Sequence, residues 1–489
     1  MRKLFGYLED NILYLSIISL LLFIPLYPKF PLFKVPGTYV AVRLEDFFVA
    51  LVLGVWFLLE IKHGWPTFKE RASRLVLWYF AAGALSLVSA LTITRIVVPH
   101  LSLLHYLRRL EYMSLFFVTL AALRERKNID GFWVAIFLAT IGVTVFGIGQ
   151  KFFNWPVIST MNEEFSKGLV LYLSEWTRIN STFAGHYDLA AFSVLVITLC
   201  FGFLIGVSSW VLKFLALVLI VLAFYLLLLT ASRISFGAYL FSIIIVLLLT
   251  KRSKWILPVC FLSLLVMVFN SELGQRYAAT FKIDLSFLSP KIGQMERQIV
   301  LAPTLTPEPL PVALTSRTPS GPVTSVAPAQ KEKVTLDKKK AQKATISAQF
   351  PQPESVEIAA QRSGEIRFRV EWPRAIRAFA KNPLLGTGYS SVTLATDNDY
   401  LRALAETGLL GFGALSLIFL ELTSRLILFI RKPQSVFEKA IVVGLAGGLV
   451  GFLINALFID VFEASKVAFI FWIFAGALLG IIVRLEKLR

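Results

Sequence analysis

The stretch GEIRFRVEWPRAIRAFAKNPLLGTGYSSVTLATDNDYLRALAETGLLG, residues 364–411, decides how the rest of the chain is read. It closes the long polar segment of the chain and gathers arginines, Trp372, a Pro-Leu-Leu-Gly-Thr-Gly turn and the triplet Asp397-Asn398-Asp399. Apolar positions at Ile366, Val370, Trp372, Ile376 and Phe379 recur at helical spacing. They predict a helix over 364–385 on or near a membrane surface, with Pro373 in its first turn or kinking it. From Leu401 the sequence returns to unbroken apolar helix. Chemistry is expected where this stretch meets the bilayer.

Outward from it, 56% of the residues are hydrophobic, 42 are Phe and only 16% are charged. That composition lies well outside the soluble globular class. About twelve apolar runs are long enough to cross roughly 30 Å of hydrocarbon. They fall at 11–28, 45–61, 74–93, 102–123, 131–150, 188–206, 210–229, 234–250, 254–270, 401–430, 438–459 and 465–483. The predicted fold is an all-α polytopic membrane protein of about 12 transmembrane helices. A membrane domain over 1–270 carries spans 1–9, and a second over 401–489 carries spans 10–12. The extracytoplasmic loop 271–400 joins them. The start, MRKLFGYLEDNILYLSIISLLLF, is basic and then apolar without a small-residue cleavage site, so it reads as an uncleaved first span. No internal repeat stands out.

Lysine and arginine number 49 against 31 Asp and Glu. The excess sits in short connectors, for example Lys62, Arg71, Arg124, Lys127, Lys251, Arg252, Arg431 and Lys432. This is the positive-inside pattern, not the mark of a nucleic-acid partner. It puts both termini in the cytoplasm. Residues 151–187, the turn Thr230–Arg233 and the loop 271–400 then share the outer face. The middle of that loop, about 300–360, is a Pro/Thr/Ser/Ala/Lys mixture read as a disordered insertion with no chemistry assigned. Cys200 and Cys260 lie in separate apolar runs, which excludes a disulfide framework or a cysteine metal site and makes both small buried hydrophobes.

Ionisable side chains at the edge of a span are functional candidates. Arg178, in EWTRINSTFAGHYDLAAF, and Arg233, in LLLLTASRISFGAYL, fall on the outer face. A guanidinium fork suits phosphate or pyrophosphate; the competing reading is an arginine that snorkels to anchor a helix end. His186 and Asp188 could relay a proton or bind a sugar hydroxyl, but Asp188 fits a helix cap better. Arg108 and Arg109 lie inside a span and need partners or an aqueous lining. One acidic group of Asp397-Asn398-Asp399 can cap the helix that follows, yet one cap does not need three polar residues. A carboxylate beside a membrane has a raised pKa, which suits a general base acting on a hydroxyl. Glu406 lies deeper in the same apolar helix and is expected to face protein or water. Gly386 and Gly388 give a loop with backbone freedom, and Gly408, Gly411 and Gly413 suit close helix packing. No Walker loop, zinc-ligand spacing or Ser-His-Asp set appears, so no metal or cofactor is expected and ATP-driven transport is disfavoured.

Four pieces in order resemble the O-antigen ligase/O-antigen polymerase superfamily of bacterial cell-surface polysaccharide assembly. RINSTFAGHYDLAAF resembles an Arg–x–x–Gly/Ser–Thr–Phe–x–x–x–Asn–x–Leu–Ala pattern, and LTASRISF a Thr–x–Ser–Arg turn. RVEWPRAIRAFAKNPLLGTGYSS resembles an Arg–x–x–Trp pattern ending in Pro–x–x–Gly–x–Gly, and DNDYLRALAETGLLG a His–Asn–x–Tyr–Leu pattern ending in Glu–x–Gly–x–x–Gly. The resemblance implies a GT-C-like, inverting, metal-independent glycosyltransferase with its active site on the outer face of the bacterial cytoplasmic membrane. It would move a glycan from an undecaprenyl-pyrophosphate-type carrier to a hydroxyl on a lipid, protein or glycan. Arg178 and Arg233 match the family's pyrophosphate-binding arginines, with Arg367 and Arg369 as helpers. Asp397 stands where His is common and would take the base role, with Asn398 orienting the hydroxyl. His186, Asp188, Glu406, Trp372, Gly386 and Gly388 would support them. Tyr187 stands where Asn is common, with Asp188 beside it as a stand-in. A polymerase of the same superfamily is the sibling reading, and Arg377 and Gly388 have a spacing seen in polymerases. A transporter or flippase for lipid-linked glycans is the reading from another class, and it would call for inverted repeats or paired unwound helices.

Overall fold

The computed structural model describes residues 2–35, 41–126, 128–158, 172–173, 178–269, 273–274, 277, 365–392 and 396–487, with the side chains of 2–10 and 34 left aside. The insertion at about 300–360 and most of 271–299, including Phe281 and Phe287, fall outside the described residues. The helices are α1 (Arg2–Leu26), α2 (Leu44–His63), α3 (Arg71–Ser89), α4 (Pro99–Leu123), α5 (Asp130–Phe152), α6 (His186–Gly206), α7 (Trp210–Leu229), α8 (Arg233–Leu249) and α9 (Ile256–Phe269). After the polar segment come the short α10 (Trp372–Lys381), then α11 (Asp399–Arg431), α12 (Val436–Asn455) and α13 (Ser465–Lys487). All but α10 coincide in position with the expected spans. Among the described residues, seven helices are long and apolar enough to cross a membrane by length and composition. They are α3 with the turn after it, α5, α6, α7, α11, α12 and α13. The chain is a multi-pass helical membrane protein. A small hairpin that the apolar pattern did not reveal, β1 (Pro31–Lys34) against β2 (Ala41–Arg43), joins α1 to α2.

The core forms around α13, whose residues are buried on every side from Ser465 to Val483. A helix apolar all round belongs at the centre of a bundle. It packs on α4, while α12 packs on α6 and α8. α6 and α12 approach closely because a Cβ on Gly202 would stand 2.5 Å from the Ala440 carbonyl oxygen. Among the three glycines expected to serve packing on α11, Gly413 has open space where its Cβ would be. Cys200 is buried, but Cys260 is only half-buried, a correction explained by its place on α9, where only Ser263 and Met267 are buried.

Lys466 is fully buried in this core. Its ammonium donates to the carbonyls of Tyr27 (2.5 Å), Thr182 (2.8 Å) and Pro25 (3.4 Å). Two of these are carbonyls at the end of α1 that have no partner inside the helix. The third belongs to the loop before α6, so one amine fixes that loop to α1 and α13. Lys466→Met should fill the space yet take the ammonium donor from the Tyr27 and Thr182 carbonyls, while Pro25 O keeps its bond from Thr182 Oγ1, lowering stability by about 2–4 kcal/mol. Thermal unfolding in detergent micelles measures it, and an unchanged midpoint would remove Lys466 from this role.

α11 is broken. Gly408 has φ 63° and ψ −166°, inside a helix that otherwise runs from Asp399 to Arg431. The freed groups find partners in the Pro383–Gly388 turn. Thr387 N donates to Ala405 O and Gly388 N to Glu406 O, both at 2.9 Å. Leu409 N donates to Pro383 O (2.8 Å) and Leu410 N to Leu384 O (3.2 Å). Irregular backbone at membrane depth is tolerated only where protein satisfies it, and this turn does so. Gly386, at φ 73°, lies so close that a Cβ would stand 2.5 Å from the Glu406 carbonyl. One break is not the matched pair of unwound helices that a transporter would show. Gly408→Ala would place its Cβ 2.4 Å from the Leu384 carbonyl oxygen in a backbone region reserved for glycine. A destabilisation of about 3 kcal/mol or more is expected, read as a fall in detergent unfolding temperature; an unshifted midpoint would show that the break tolerates a side chain.

Candidate active site

The first wall of the site is the loop 178–185 before α6. Asn180, Ser181 and Thr182 are buried. Ser181 N donates to Gln150 Oε1 (2.8 Å), and Gln150 Nε2 returns a bond to Ser181 O (3.0 Å). Ser181 Oγ donates to Val143 O (2.7 Å), and Thr182 Oγ1 to Pro25 O (2.5 Å). These bonds make the loop a fixed platform against α5 and α1. Its first described residue, Arg178, places a guanidinium nitrogen 2.5 Å from His186 Nε2, which accepts because arginine can only donate. His186 opens α6, and the cap position is Gly185 rather than Asp188. The expected cap role of Asp188 is therefore corrected. Asp188 lies in the first turn, in the field of Lys29, Lys466 and Arg43. It is not brought to the arginines.

The second wall is the turn Thr230–Arg233. Ala231 takes a left-handed conformation (φ 47°) and Ser232 caps α8 by accepting from Ser235 N (3.4 Å). Ser235 Oγ in turn donates to Asn455 Oδ1 (2.7 Å), tying the turn to α12. Arg233 is the first residue of α8. A cation at a helix N-terminus opposes the helix dipole, so its placement answers to something other than helix stability. Tyr277 donates to its carbonyl at 2.6 Å.

The third wall comes from the polar segment. A π-helical turn, Arg367–Glu371, leads into α10, with Pro373 in its first turn as expected. Arg367 is buried, and its Nε donates to Asp397 Oδ2 at 2.7 Å. Its charge also acts on the Tyr187 phenol, as does that of Arg178. Arg233 lies in the field of Tyr187, Arg178 and Arg367. The expected arginines Arg178, Arg233 and Arg367 thus gather around one phenol. Arg369 does not join them, since it is exposed and pairs with Glu365 at 3.5 Å one helical turn away.

Asp397 has a left-handed backbone (φ 47°), which Asp tolerates better than most residues. Burial raises its carboxyl above the ordinary range even though Arg367 pulls it down, and Asp460 raises it further. Glu371 is pushed up to about 7, first by burial and then by Asp397 and Asp460. Asn398, not an acidic neighbour, caps α11: its Oδ1 accepts from Leu401 N (2.9 Å) and its Nδ2 donates to Leu457 O (3.1 Å). Both ends of the Asn398 amide are engaged, which fixes its orientation, and the amide nitrogen carries a second hydrogen beyond the one given to Leu457 O. Asp399 is buried and accepts from Phe462 N (3.0 Å). Glu406 faces protein, accepting from Ser390 N (3.2 Å) with Arg402 3.8 Å away. Trp372 packs on Phe368 and Phe458. Gly386 and Gly388 serve the turn that seals the α11 break.

Deeper in, the expected need of Arg108 and Arg109 for partners is met. Arg108 pairs with Asp46 at 3.1 Å and donates to Ala41 O, while Arg109 pairs with Glu463 and donates to Phe462 O at 3.0 Å. Four residues of the site were not singled out from sequence as members: Tyr187 as a partner of Arg367, and Glu371, Arg402 and Asp460. Asp460 binds Arg402 at 3.0 Å and Thr396 N at 3.1 Å. An acidic residue in the short apolar connector between α12 and α13 was the available signal.

The O-antigen ligase family model matches residues 215–416. This part of the chain is similar to the O-antigen ligase family. The match supports the O-antigen ligase/polymerase superfamily that the four motifs resemble, whose members are ligases or polymerases acting on lipid-linked glycans. It spans Arg233, Arg367, Asp397 and Glu406, while Arg178, His186 and Tyr187 precede it. No curated protein matches the chain. The matched region therefore supplies two walls of the site, and the residues before it supply the third.

Proposed function

We propose that the protein is a ligase that transfers a glycan from an undecaprenyl-pyrophosphate-type carrier to an acceptor hydroxyl at the outer face of the cytoplasmic membrane. The observation that carries this reading is the gathering of Arg178, Arg233 and Arg367 beside Asp397 at one end of the bundle. Asp397 takes the proton of the acceptor hydroxyl as its oxygen bonds to the anomeric carbon. The bond from that carbon to the phosphate oxygen breaks on the opposite face, which inverts the centre. The electron pair leaves on the diphosphate, whose growing charge the guanidinium groups stabilise. On the twelve-span reading with both termini cytoplasmic, the site lies at the outer leaflet, where a flipped lipid-linked donor is presented.

The test is purified full-length protein in detergent with a polyprenyl-pyrophosphate glycan and candidate acceptors. Carrier release that depends on acceptor, with the glycan appearing on it, is the expected result. A second lipid-linked glycan serving as the best acceptor would make the enzyme a polymerase, and movement of intact donor without release would make it a transporter.

A further inference from the structure

Arg367 stands between the two halves of the chemistry. Its Nε holds the Asp397 carboxylate at 2.7 Å. The same guanidinium shares the surroundings of the Tyr187 phenol with Arg178 and Arg233. The other charged groups around Asp397 cannot replace it. From the turn before α10 comes Glu371, and from the connector after α12 comes Asp460, both carboxyls that repel it. From α11 comes Arg402, already paired with Asp460 at 3.0 Å and 3.8 Å from Glu406. Among the described residues the cation in contact with Asp397 is Arg367. While that pair is closed, Oδ2 is engaged and the guanidinium charge lowers the basicity of the whole carboxylate.

We propose that Arg367 is handed over during the reaction, holding Asp397 while the site is empty and turning to the diphosphate of the bound donor. The donor thereby frees the base that will act on the acceptor. This rests on the functional reading above. A diphosphate offers several anionic oxygens in the fork geometry that guanidinium prefers, so it competes well with a single carboxylate. The arrangement makes binding ordered: an acceptor that arrives before the donor meets a neutralised Asp397. It also keeps an unpaired carboxylate from idling beside the arginines of the donor site, where it would compete with phosphate.

The test is equilibrium binding of a short-chain polyprenyl pyrophosphate, which carries no glycan and cannot turn over, to the full-length protein in detergent. Asp397→Asn keeps the left-handed backbone and releases Arg367, so the probe should bind about tenfold more tightly, since a freed guanidinium hydrogen bond is worth at least that factor. In an Arg367→Gln background the same Asp397→Asn change should give no such gain. Asp397→Ser carries the same expectation and replaces the Asn variant if that protein does not fold. Unchanged or weaker binding by the Asp397 variants, or an equal gain in the Arg367→Gln background, would overturn the hand-over, the latter assigning the gain to simple loss of a negative charge. If the wild type does not bind the probe, or Arg233→Ala binds it as well as wild type, the pyrophosphate reading itself fails and the hand-over with it.

Discussion

Arg233→Ala should lower acceptor-dependent carrier release by about 10²–10³-fold, the range seen when one preorganised donor to developing negative charge is removed. The expectation comes from where the guanidinium sits. Arg233 begins α8, where the helix dipole disfavours a cation. The turn that presents it is fixed by the left-handed Ala231, the Ser232 cap and the Ser235–Asn455 bond. None of those features depends on the Arg233 side chain, so the variant should fold, and thermal unfolding in detergent should show a change of about 0.5 kcal/mol or less. The loss should fall on kcat more than on the apparent affinity for donor, because the charge on the diphosphate grows as the glycosidic bond breaks. Arg233→Lys keeps a charge but not the fork and should recover only part of the rate. Full turnover by Arg233→Ala would reduce this arginine to a helix anchor.

The sequence made the bundle legible because apolar runs of membrane length leave little freedom in what they form. The helix over 365–381 followed from apolar spacing, and the gathering of Arg178 and Arg233 followed from charge placement on one face. Other features depend on partners far away in sequence. The break at Gly408 looks like an ordinary packing glycine in DYLRALAETGLLG, because nothing local says that Pro383–Gly388 will donate to and accept from the opened turn. Asn398 rather than an acid caps α11 because Asp397 turns to Arg367 and Asp399 to Phe462 N. Tyr187 was visible only as a departure from a family pattern, and its approach to Arg367 spans 180 positions in the numbering. A one-dimensional reading could name the arginines, yet it could not separate Arg367, turned inward, from Arg369, turned to solvent beside Glu365.

Asp397→Asn should cost about 10²–10⁴ in turnover, the usual range for loss of a general acid or base. The amide matches the carboxylate in shape and tolerates φ 47°, so folding should survive. Two carboxyls stand close enough to compete for the role, and pH separates them. Burial raises Asp397 and pushes Glu371 up to about 7. A base must be ionised to act, so turnover should fall as the pH is lowered through the Asp397 transition. Glu371→Gln removes a neighbouring negative charge, which weakens the hold of Asp397 on its proton. The acid limb should therefore move to lower pH, with the rate at high pH within about tenfold of wild type. The hand-over adds a direction of its own. Free enzyme keeps Arg367 against Asp397 and the donor complex does not, so the limb in kcat should lie at higher pH than the limb in kcat/KM. A loss of tenfold or less in Asp397→Asn, together with a larger loss in Glu371→Gln, would transfer the base to Glu371 and leave Asp397 as the resting partner of Arg367.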